Sequence, residues 1–473
     1  MPLIKSISGI RGTIGDTPGE DLTPTEVVKF TFAFVQLIKS KQNSKLKILV
    51  GRDARVSGEV LNYLVCNILL NIGVDVIDVG FSTTPSVEMA VVKHKADGGI
   101  ILTASHNPME WNALKLLNEK GEFISAAEGQ LLLKIAENID GCVIRELTNP
   151  KGRKMFAQKT LDIESGSYTR YHFAIEDHID EILKLEFVNV KAIRSACFSV
   201  VIDAINSTGG IAIPLLLEKL GVEKVKVLNA EPTGIFSHNP EPLPEHLHEI
   251  SSIMNSQDFD VGFVVDPDVD RLAIVMENGE MFGEEYTLVA IADYVLQHKK
   301  GNTVSNLSST RALCDVSKKH GVAYSASAVG EVNVVEKMKE TNAIIGGEGN
   351  GGIIFPELHY GRDALVGIAL FLTFMAKTKK KCSEIKKMYP NYYISKNRIE
   401  ITKTTNVQEI LQKVTKKFAN NNPIIIDGVK IDFEQGWVHL RPSNTEPIIR
   451  IYAEAKNETE TENLINEVKN CFL

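Results

Sequence analysis

Strand-length apolar runs alternate with helix-length amphipathic stretches along most of this chain, and that alternation limits what it can fold into. The runs Leu46–Val50, Val74–Val79 and Gly99–Thr103 are separated by helical stretches. Such succession buries its apolar faces as βαβ units around a mainly parallel sheet. Ahead of them, Thr23-Pro24-Thr25-Glu26 reads as a capping box with proline at the first helical position, followed by Val27, Phe30, Phe34 and Leu37 at helical spacing. The pattern recurs twice. Strands Phe198–Ile202, Val225–Leu228 and Val261–Val265 enclose helices Ile211–Leu220 and Pro244–Met254; strands Thr303–Asn306 and Ala343–Gly346 then lie among helices Tyr286–Gln297 and Arg311–His320.

The C-terminal part breaks the pattern. Strand-like Asn397–Thr402, Pro423–Ile426, Val429–Phe433 and Trp437–Arg441 crowd together, with Asp427-Gly428 as a hairpin turn and helices at Val407–Ala419 and Glu458–Cys471. A chain of 473 residues is too long for one core. The expected architecture is α/β: three consecutive α/β domains with mixed, mainly parallel sheets (1–165, 166–281, 282–378), then a C-terminal α+β domain (379–473).

Composition serves mainly to exclude. A net charge of −8, with basic runs no longer than the likes of Lys379–Lys381, gives no footprint for nucleic acid. No apolar stretch is long enough to span a bilayer, and MPLIKSISGIRG lacks a signal-peptide core. Six scattered cysteines without a CxxC pair argue against a zinc knuckle or disulfide framework. The expectation is a cytoplasmic protein without nucleic-acid or membrane partners.

Several loops carry chemistry. After the strand VGFVV come Asp266, Asp268 and Asp270, then Arg271. Alternate residues of an extended segment share a face, and two carboxylates about 4–5 Å apart repel by roughly 3–4 kcal/mol at an effective dielectric near 20. Three such groups call for a cation, and all-oxygen ligation suits Mg²⁺. Removing one should therefore leave the metal-free fold as stable or slightly more so. An EF-hand is excluded because Arg271 stands at the sixth-position glycine and a strand leads in. A haloacid-dehalogenase-type phosphotransferase, with Asp266 as nucleophile, remains an alternative, although Asp270 stands where Thr or Val is usual.

GGEGNGG (346–352) matches GxGxxG formally, yet IIFP follows rather than a helix, which rejects a dinucleotide site. Glu348 and Asn350 remain as partners for vicinal hydroxyls. RPSNTEPIIR combines Arg441, Ser443, Asn444, Thr445 and Arg450, the donors a phosphate dianion requires. VGRDARVSG, with Arg52 and Arg55 near Ser57, reads by itself as an internal salt-bridged loop. TASHNP offers Ser105 beside His106, either a nucleophile with its base or an ordinary Asn107-Pro108 turn. Neighbours on an extended backbone face opposite ways, which opposes a Ser-His dyad.

TASHNP with Lys115, DPDVD with Arg271, GEGNGG and RPSNTEP occur in the order found in the α-D-phosphohexomutase superfamily, which this chain resembles over essentially its whole length, SGIRG and VGRDARVSG included. The resemblance implies four domains around a central cleft, each contributing one loop. Ser105 is then the phosphorylated serine, and Mg²⁺ sits on Ser105, Asp266, Asp268 and Asp270. Arg11, Lys115 and Arg271 attend the transferring phosphoryl group. Glu348, Asn350 and Glu331 face the sugar, while Arg441, Ser443, Asn444, Thr445 and Arg450 hold the distal phosphate. The implied reaction interconverts hexose 6- and 1-phosphates through a sugar bisphosphate, which also serves as activator, in a monomer or homodimer. Asn350 and Gly352 depart from the GExSGH of bacterial relatives, and Glu331 stands where histidine or aspartate is frequent. These features look most like the branch with archaeal-type phosphoglucosamine mutases and imply glucosamine phosphate as substrate. Phosphoglucomutase/phosphomannomutase activity is the alternative, and a non-catalytic sugar-phosphate sensor is more remote.

Overall fold

The structure, a computed structural model, describes residues 3–6, 9–41, 44–139, 165–401, 406–442 and 448–471. The chain forms two compact units: Met1–Glu284 with Gly352–Cys382, and Glu285–Gly351 with Ser383–Leu473.

The first unit opens with β1 (Ile4–Ser6), β2 (Gly9–Thr13), β3 (Lys47–Arg52), β4 (Asp75–Phe81), β5 (Gly98–Leu102), β6 (Trp111–Leu117) and β7 (Tyr168–Arg170), in the order β1-β2-β6-β5-β3-β4-β7. The β5-β3-β4-β7 half is parallel, and the β1-β2-β6-β5 half is antiparallel. Strand β7 adds to this sheet beyond residue 165 by pairing with β4. Helices Pro24–Lys39, Gly58–Asn71 and Ala126–Glu137 contribute to one core cluster, and Thr84–Lys93 to another. Thr23 caps the first helix, its hydroxyl accepting from Glu26 N.

A second sheet of the same unit comprises β8 (Ser199–Asp203), β9 (Lys224–Leu228), β10 (Val261–Val265) and β11 (Leu272–Met276), ordered β11-β10-β8-β9. Only β10–β11 is antiparallel. The expected helix Pro244–Met254 divides into a 3₁₀ turn, Pro244–His246, and a helix, His248–Ser256. Two connections thus depart from βαβ. The turn between β5 and β6 and the turn between β10 and β11 are both hairpins at the ends of parallel-paired strands, and they carry Ser105 and the aspartates.

The second unit begins with the parallel strands β12 (Asn302–Asn306), β13 (Tyr324–Ser327) and β14 (Ala343–Glu348), ordered β13-β12-β14. The chain then returns to the first unit with β15 (Gly352–Ile354) and helix Ala364–Thr378. This helix is buried at every position from Ala364 to Met375, as an all-round apolar helix must be. In the second unit again, β16 (Tyr393–Glu400), β17 (Val429–Asp432), β18 (Trp437–Pro442) and β19 (Ile448–Ala455) form an antiparallel sheet, β16-β19-β18-β17. Pro423–Ile426 is not a strand; only Ile424 bridges to Lys430. Trp437 Nε1 and Arg311 N both donate to Glu454 Oε1, at 2.9 and 3.0 Å, tying this sheet to the preceding α/β part of the unit. No helix among the described residues is long and apolar enough to cross a membrane.

Phe371 is fully buried and meets Phe282 and Phe263 edge-on at 5.3 and 6.4 Å. Phe371→Ala should destabilise the first unit by about 3–5 kcal/mol, read as a lowered midpoint in urea unfolding.

Candidate active site: a serine turn against three aspartates

The serine turn is shaped by its own backbone. Ser105 has φ +49°, a left-handed conformation that costs a non-glycine residue about 1–3 kcal/mol. Thr103 holds it from before, its hydroxyl donating to Asp53 Oδ2 (2.6 Å) and accepting from Ser105 N (2.9 Å). Arg55, fully buried, holds it from beneath. Its Nε donates to Asp53 Oδ2 (3.1 Å), Nη1 to the carbonyls of Pro108 (2.5 Å) and Trp111 (2.9 Å), and Nη2 to those of Ser105 (2.5 Å) and Asn107 (2.6 Å). All five guanidinium protons are used.

The left-handed turn corrects the argument from an extended backbone. His106 Nδ1 lies 3.5 Å from Ser105 Oγ, on the same side rather than opposite. That is too long for a strong hydrogen bond, and Oγ instead donates to Asp266 Oδ2 at 2.6 Å. Burial, with Arg271 and Arg11 nearby, holds His106 well below the usual histidine range.

The aspartates also converge for a different reason than alternation. Residues 266–270 form a turn in which Val269 takes φ +61° and its N–H bonds Asp266 O at 3.1 Å. Asp266 Oδ1 accepts from Asp270 N and Arg271 N, each at 3.2 Å. The turn brings one oxygen from each carboxylate within 4.8 Å of the others, all three residues being fully buried. Ser207 and Thr208 hydroxyls donate to Pro267 O (2.6 and 2.9 Å), and Ser207 Oγ accepts from Ala54 N (3.3 Å). The Arg55 loop therefore reaches both hairpins.

Cations already balance part of this acid. Lys115 Nζ donates to Asp268 Oδ2 (2.6 Å) and Asp270 Oδ2 (3.2 Å), and Arg362 Nη2 to Asp270 Oδ2 (2.7 Å). Thr84 Oγ1 adds a bond to Asp268 Oδ2 (2.5 Å). Burial opposes the charge on Lys115, but Asp268 and Asp270 outweigh it and raise the group, so it stands here as an ammonium rather than a base. Burial likewise opposes ionisation of Asp270, yet Arg362, Lys115 and Arg271 bring it far down. Asp266 carries the remaining strain: burial, then Asp270 and Asp268, push it well above the usual carboxylate range. Asp268 Oδ1 and Asp270 Oδ1 are buried without a hydrogen-bond partner. These hard oxygens, with Asp266 and Ser105 Oγ alongside, fit a divalent cation of the Mg²⁺ class. Arg11 Nη1 donates to Asn107 Oδ1 (3.0 Å), and Arg271 Nη1 lies 3.8 Å from Glu241 Oε1.

In the second unit, Glu348 ends β14, its Oε1 accepting from Asn306 Nδ2 (2.9 Å) and Gly330 N (3.1 Å). Glu331 directly follows Gly330 as the first, buried residue of helix Glu331–Thr341. Asn350 is half-buried in the turn that follows. At Gly349 a Cβ would lie 2.0 Å from Glu285 Oε2, so a larger residue would have to displace that carboxylate. Arg441 on β18 stands directly opposite Arg450 on β19. Like charges so placed repel, and an anion between them would relieve it. Arg441 Nε is 3.8 Å from Asp427 Oδ2, and Arg450 Nη1 donates to Tyr452 Oη at 3.3 Å. Ser443, Asn444 and Thr445 lie outside the described residues.

Comparison with known proteins matches the whole order. Family models for phosphoglucomutase/phosphomannomutase alpha/beta/alpha domains I, II and III match residues 4–141, 176–279 and 283–392, and the model for the C-terminal domain matches 398–470. A phosphoglucomutase/phosphomannomutase of Thermococcus kodakarensis is 35% identical, covering 95% of this chain and 94% of its own. A phosphoglucosamine/phosphogalactosamine mutase of Sulfurisphaera tokodaii is 32% identical, covering 98% and 97%. The solved structure of a phosphoglucomutase/phosphomannomutase family protein from Burkholderia thailandensis shares the fold with a TM-score of 0.82, at 24% identity, covering 99% and 97%.

The lysine contact reverses the stability expected for loss of one aspartate. Asp268→Asn should destabilise the metal-free protein by about 1–3 kcal/mol, because buried Lys115 loses its shortest ionic partner. Thermal unfolding without divalent cation checks this, and calorimetric titration with Mg²⁺ should show weakened binding in the same variant.

Proposed function

The chain belongs to the phosphoglucomutase/phosphomannomutase family, and we propose that within it the chain interconverts hexosamine 6- and 1-phosphates by way of a phosphorylated Ser105. One observation carries this reading: Ser105 Oγ sits 2.6 Å from Asp266 at the edge of a buried, oxygen-only acidic site. A serine placed there is activated by charge on its phosphoryl group and needs no histidine base.

Phospho-Ser105 gives its phosphoryl group to a free hydroxyl of the sugar phosphate. The P–Oγ bond breaks, a bond from phosphorus to the sugar oxygen forms, and the hydroxyl proton ends on Oγ. The resulting bisphosphate returns its other phosphate to Ser105. A sugar bisphosphate therefore also restores any dephosphorylated enzyme. Ser105, Asp266, Asp268 and Asp270 would hold Mg²⁺, which when bound would supply Lewis-acid charge to the phosphoryl group. Lys115, held as an ammonium, and Arg11 add fixed positive charge beside the serine, and such positioning is most of phosphoryl-transfer catalysis. Arg271 extends this positive rim. Arg441 and Arg450, with Ser443, Asn444 and Thr445, take the distal phosphate, while Glu348 and Asn350 take the sugar hydroxyls. Use of Asp266 as a dehalogenase-type nucleophile is opposed by Ser105, whose Oγ bonds Asp266 Oδ2.

The amino sugar is favoured by a second acid. Glu331 adjoins the residue whose N–H holds Glu348, so a 2-ammonium group meets two carboxylates where a 2-hydroxyl gains less. The named activity of the Sulfurisphaera relative agrees; that of the Thermococcus relative supports the phosphoglucomutase/phosphomannomutase alternative.

The test is a turnover panel of glucosamine-, N-acetylglucosamine-, glucose- and mannose-phosphates with Mg²⁺ and a bisphosphate, together with peptide mapping. Glucosamine phosphate should turn over fastest, and an acid-stable phosphate should map to Ser105 and vanish with turnover in Ser105→Ala. Glu331→Gln should lower kcat/KM for the amino sugar more than for glucose 1-phosphate. Faster use of glucose or mannose phosphate would overturn the substrate, and an acid-labile phosphate on Asp266 would overturn the mechanism.

A further inference from the structure

A buried cluster beside the acidic turn has no part in the reaction described above. His178 Nε2 lies 2.9 Å and His359 Nε2 3.4 Å from the same oxygen, Asp363 Oδ2. His359 Nδ1 lies 3.2 Å from Glu88 Oε2, and His178 Nδ1 lies 3.0 Å from Ser86 Oγ. Ser86 and Glu88 belong to helix Thr84–Lys93, and His178 to helix Ala174–Lys184. Asp363 caps helix Ala364–Thr378, its Oδ1 accepting from Leu365 N (2.8 Å) and Val366 N (3.2 Å). Three helices are joined through one carboxylate.

The two histidines and Asp363 bring ligand-type atoms within 4.8 Å, as a metal centre would. Their protons nevertheless balance without one. His178 meets Asp363 through Nε2 and Ser86 through Nδ1, while His359, flanked by two carboxylates, is held protonated. Burial works against that charge, but Asp363 and Glu88 outweigh it and push His359 up to about 10. The cluster is an ion-paired lock. Gly361 belongs to it, since a Cβ there would lie 1.8 Å from Glu88 Oε2 and displace the carboxylate.

The lock grips both sides of the acidic turn. Next to Asp363, Arg362 places Nη2 2.7 Å from Asp270 Oδ2, and Ala364 N donates to Val269 O at 3.2 Å. Thr84, the first residue of the helix bearing Glu88, bonds Asp268 through Oγ1 (2.5 Å) and through its N–H to Asp268 O (2.9 Å). From this geometry we infer that Arg362 sets the charge of the aspartate triad, and that the Glu88–His359–Asp363–His178 chain is the device positioning it on Asp270. Arg362 bonds the second oxygen of a carboxylate that would hold the cation, and its charge repels that cation, so it weakens metal binding while adding positive charge for the phosphoryl group. The consequence for turnover rests on the mutase reading; the consequence for metal binding does not.

Mn²⁺ binding to the purified full-length protein, followed by electron paramagnetic resonance, tests this alongside thermal unfolding and turnover. Arg362→Gln should bind Mn²⁺ roughly tenfold more tightly, because a nearby positive charge is gone, with kcat lowered and KM for the sugar phosphate little changed. Glu88→Gln, which keeps the side-chain shape, and His359→Gln should shift Mn²⁺ affinity the same way but less. Neither should shift it further in the Arg362→Gln background, because they act through that residue. Loss of thermal stability with unchanged Mn²⁺ affinity, or effects that add across the double variants, would reduce the cluster to a structural role and overturn the inference. So would zinc retained by the purified protein and removed by chelator with loss of stability. If wild type turns over no hexose phosphate while the Mn²⁺ shifts appear, the mutase reading fails and the inference about Arg362 stands.

Discussion

The site depends on one buried guanidinium. Arg55 spends all its donors on Asp53 and on four carbonyls of the segment from Ser105 to Trp111. Four carbonyls thus converge on one side chain, in a turn that opens on the left-handed Ser105. Hydrogen bonds to a charged group contribute about 1.5–3 kcal/mol each, enough together to hold a strained turn. A lysine has three donors on a single atom and cannot reproduce the fork. Through Ala54, Ser207 and Pro267 the same loop is tied to the acidic turn, so serine and aspartates are held as one object.

Charge is organised around that object by distance along the chain. Asp266, Asp268 and Asp270 lie in one turn, but their counter-charges come from β6 and from the loop before helix Ala364–Thr378. The result is graded: Asp270 is held as an anion, Asp266 is pushed toward its acid form, and Lys115 is held as a cation. Most of the buried charge is thus paired within the protein, while Asp268 Oδ1 and Asp270 Oδ1 have no hydrogen-bond partner.

The chain declared its α/β class through alternation, and its chemistry through loops that close apolar strands. What stayed hidden was of several kinds. Backbone handedness was invisible, so both the strand-alternation reason for the aspartate cluster and the case against His106 lying near Ser105 rested on extended geometry that Ser105 and Val269 do not adopt. The strands that close the two hairpins, Trp111–Leu117 and Leu272–Met276, were not read from the sequence. Partners remote in sequence were also hidden: Arg55 meets carbonyls, which leave no pattern in side chains, and Arg362 reaches Asp270 across 92 positions. Strand Ile448–Ala455 was hidden as well, because only its first residues, inside RPSNTEPIIR, drew notice, and as phosphate donors.

Amide hydrogen exchange in Arg55→Lys tests most directly whether one guanidinium holds the serine turn. If it does, protection should fall across residues 104–110 and in the facing turn 266–270, while β3, β5 and β6 keep theirs. Unchanged protection of the Ser105 segment in that variant would show that the turn holds its shape without Arg55, and would contradict the account.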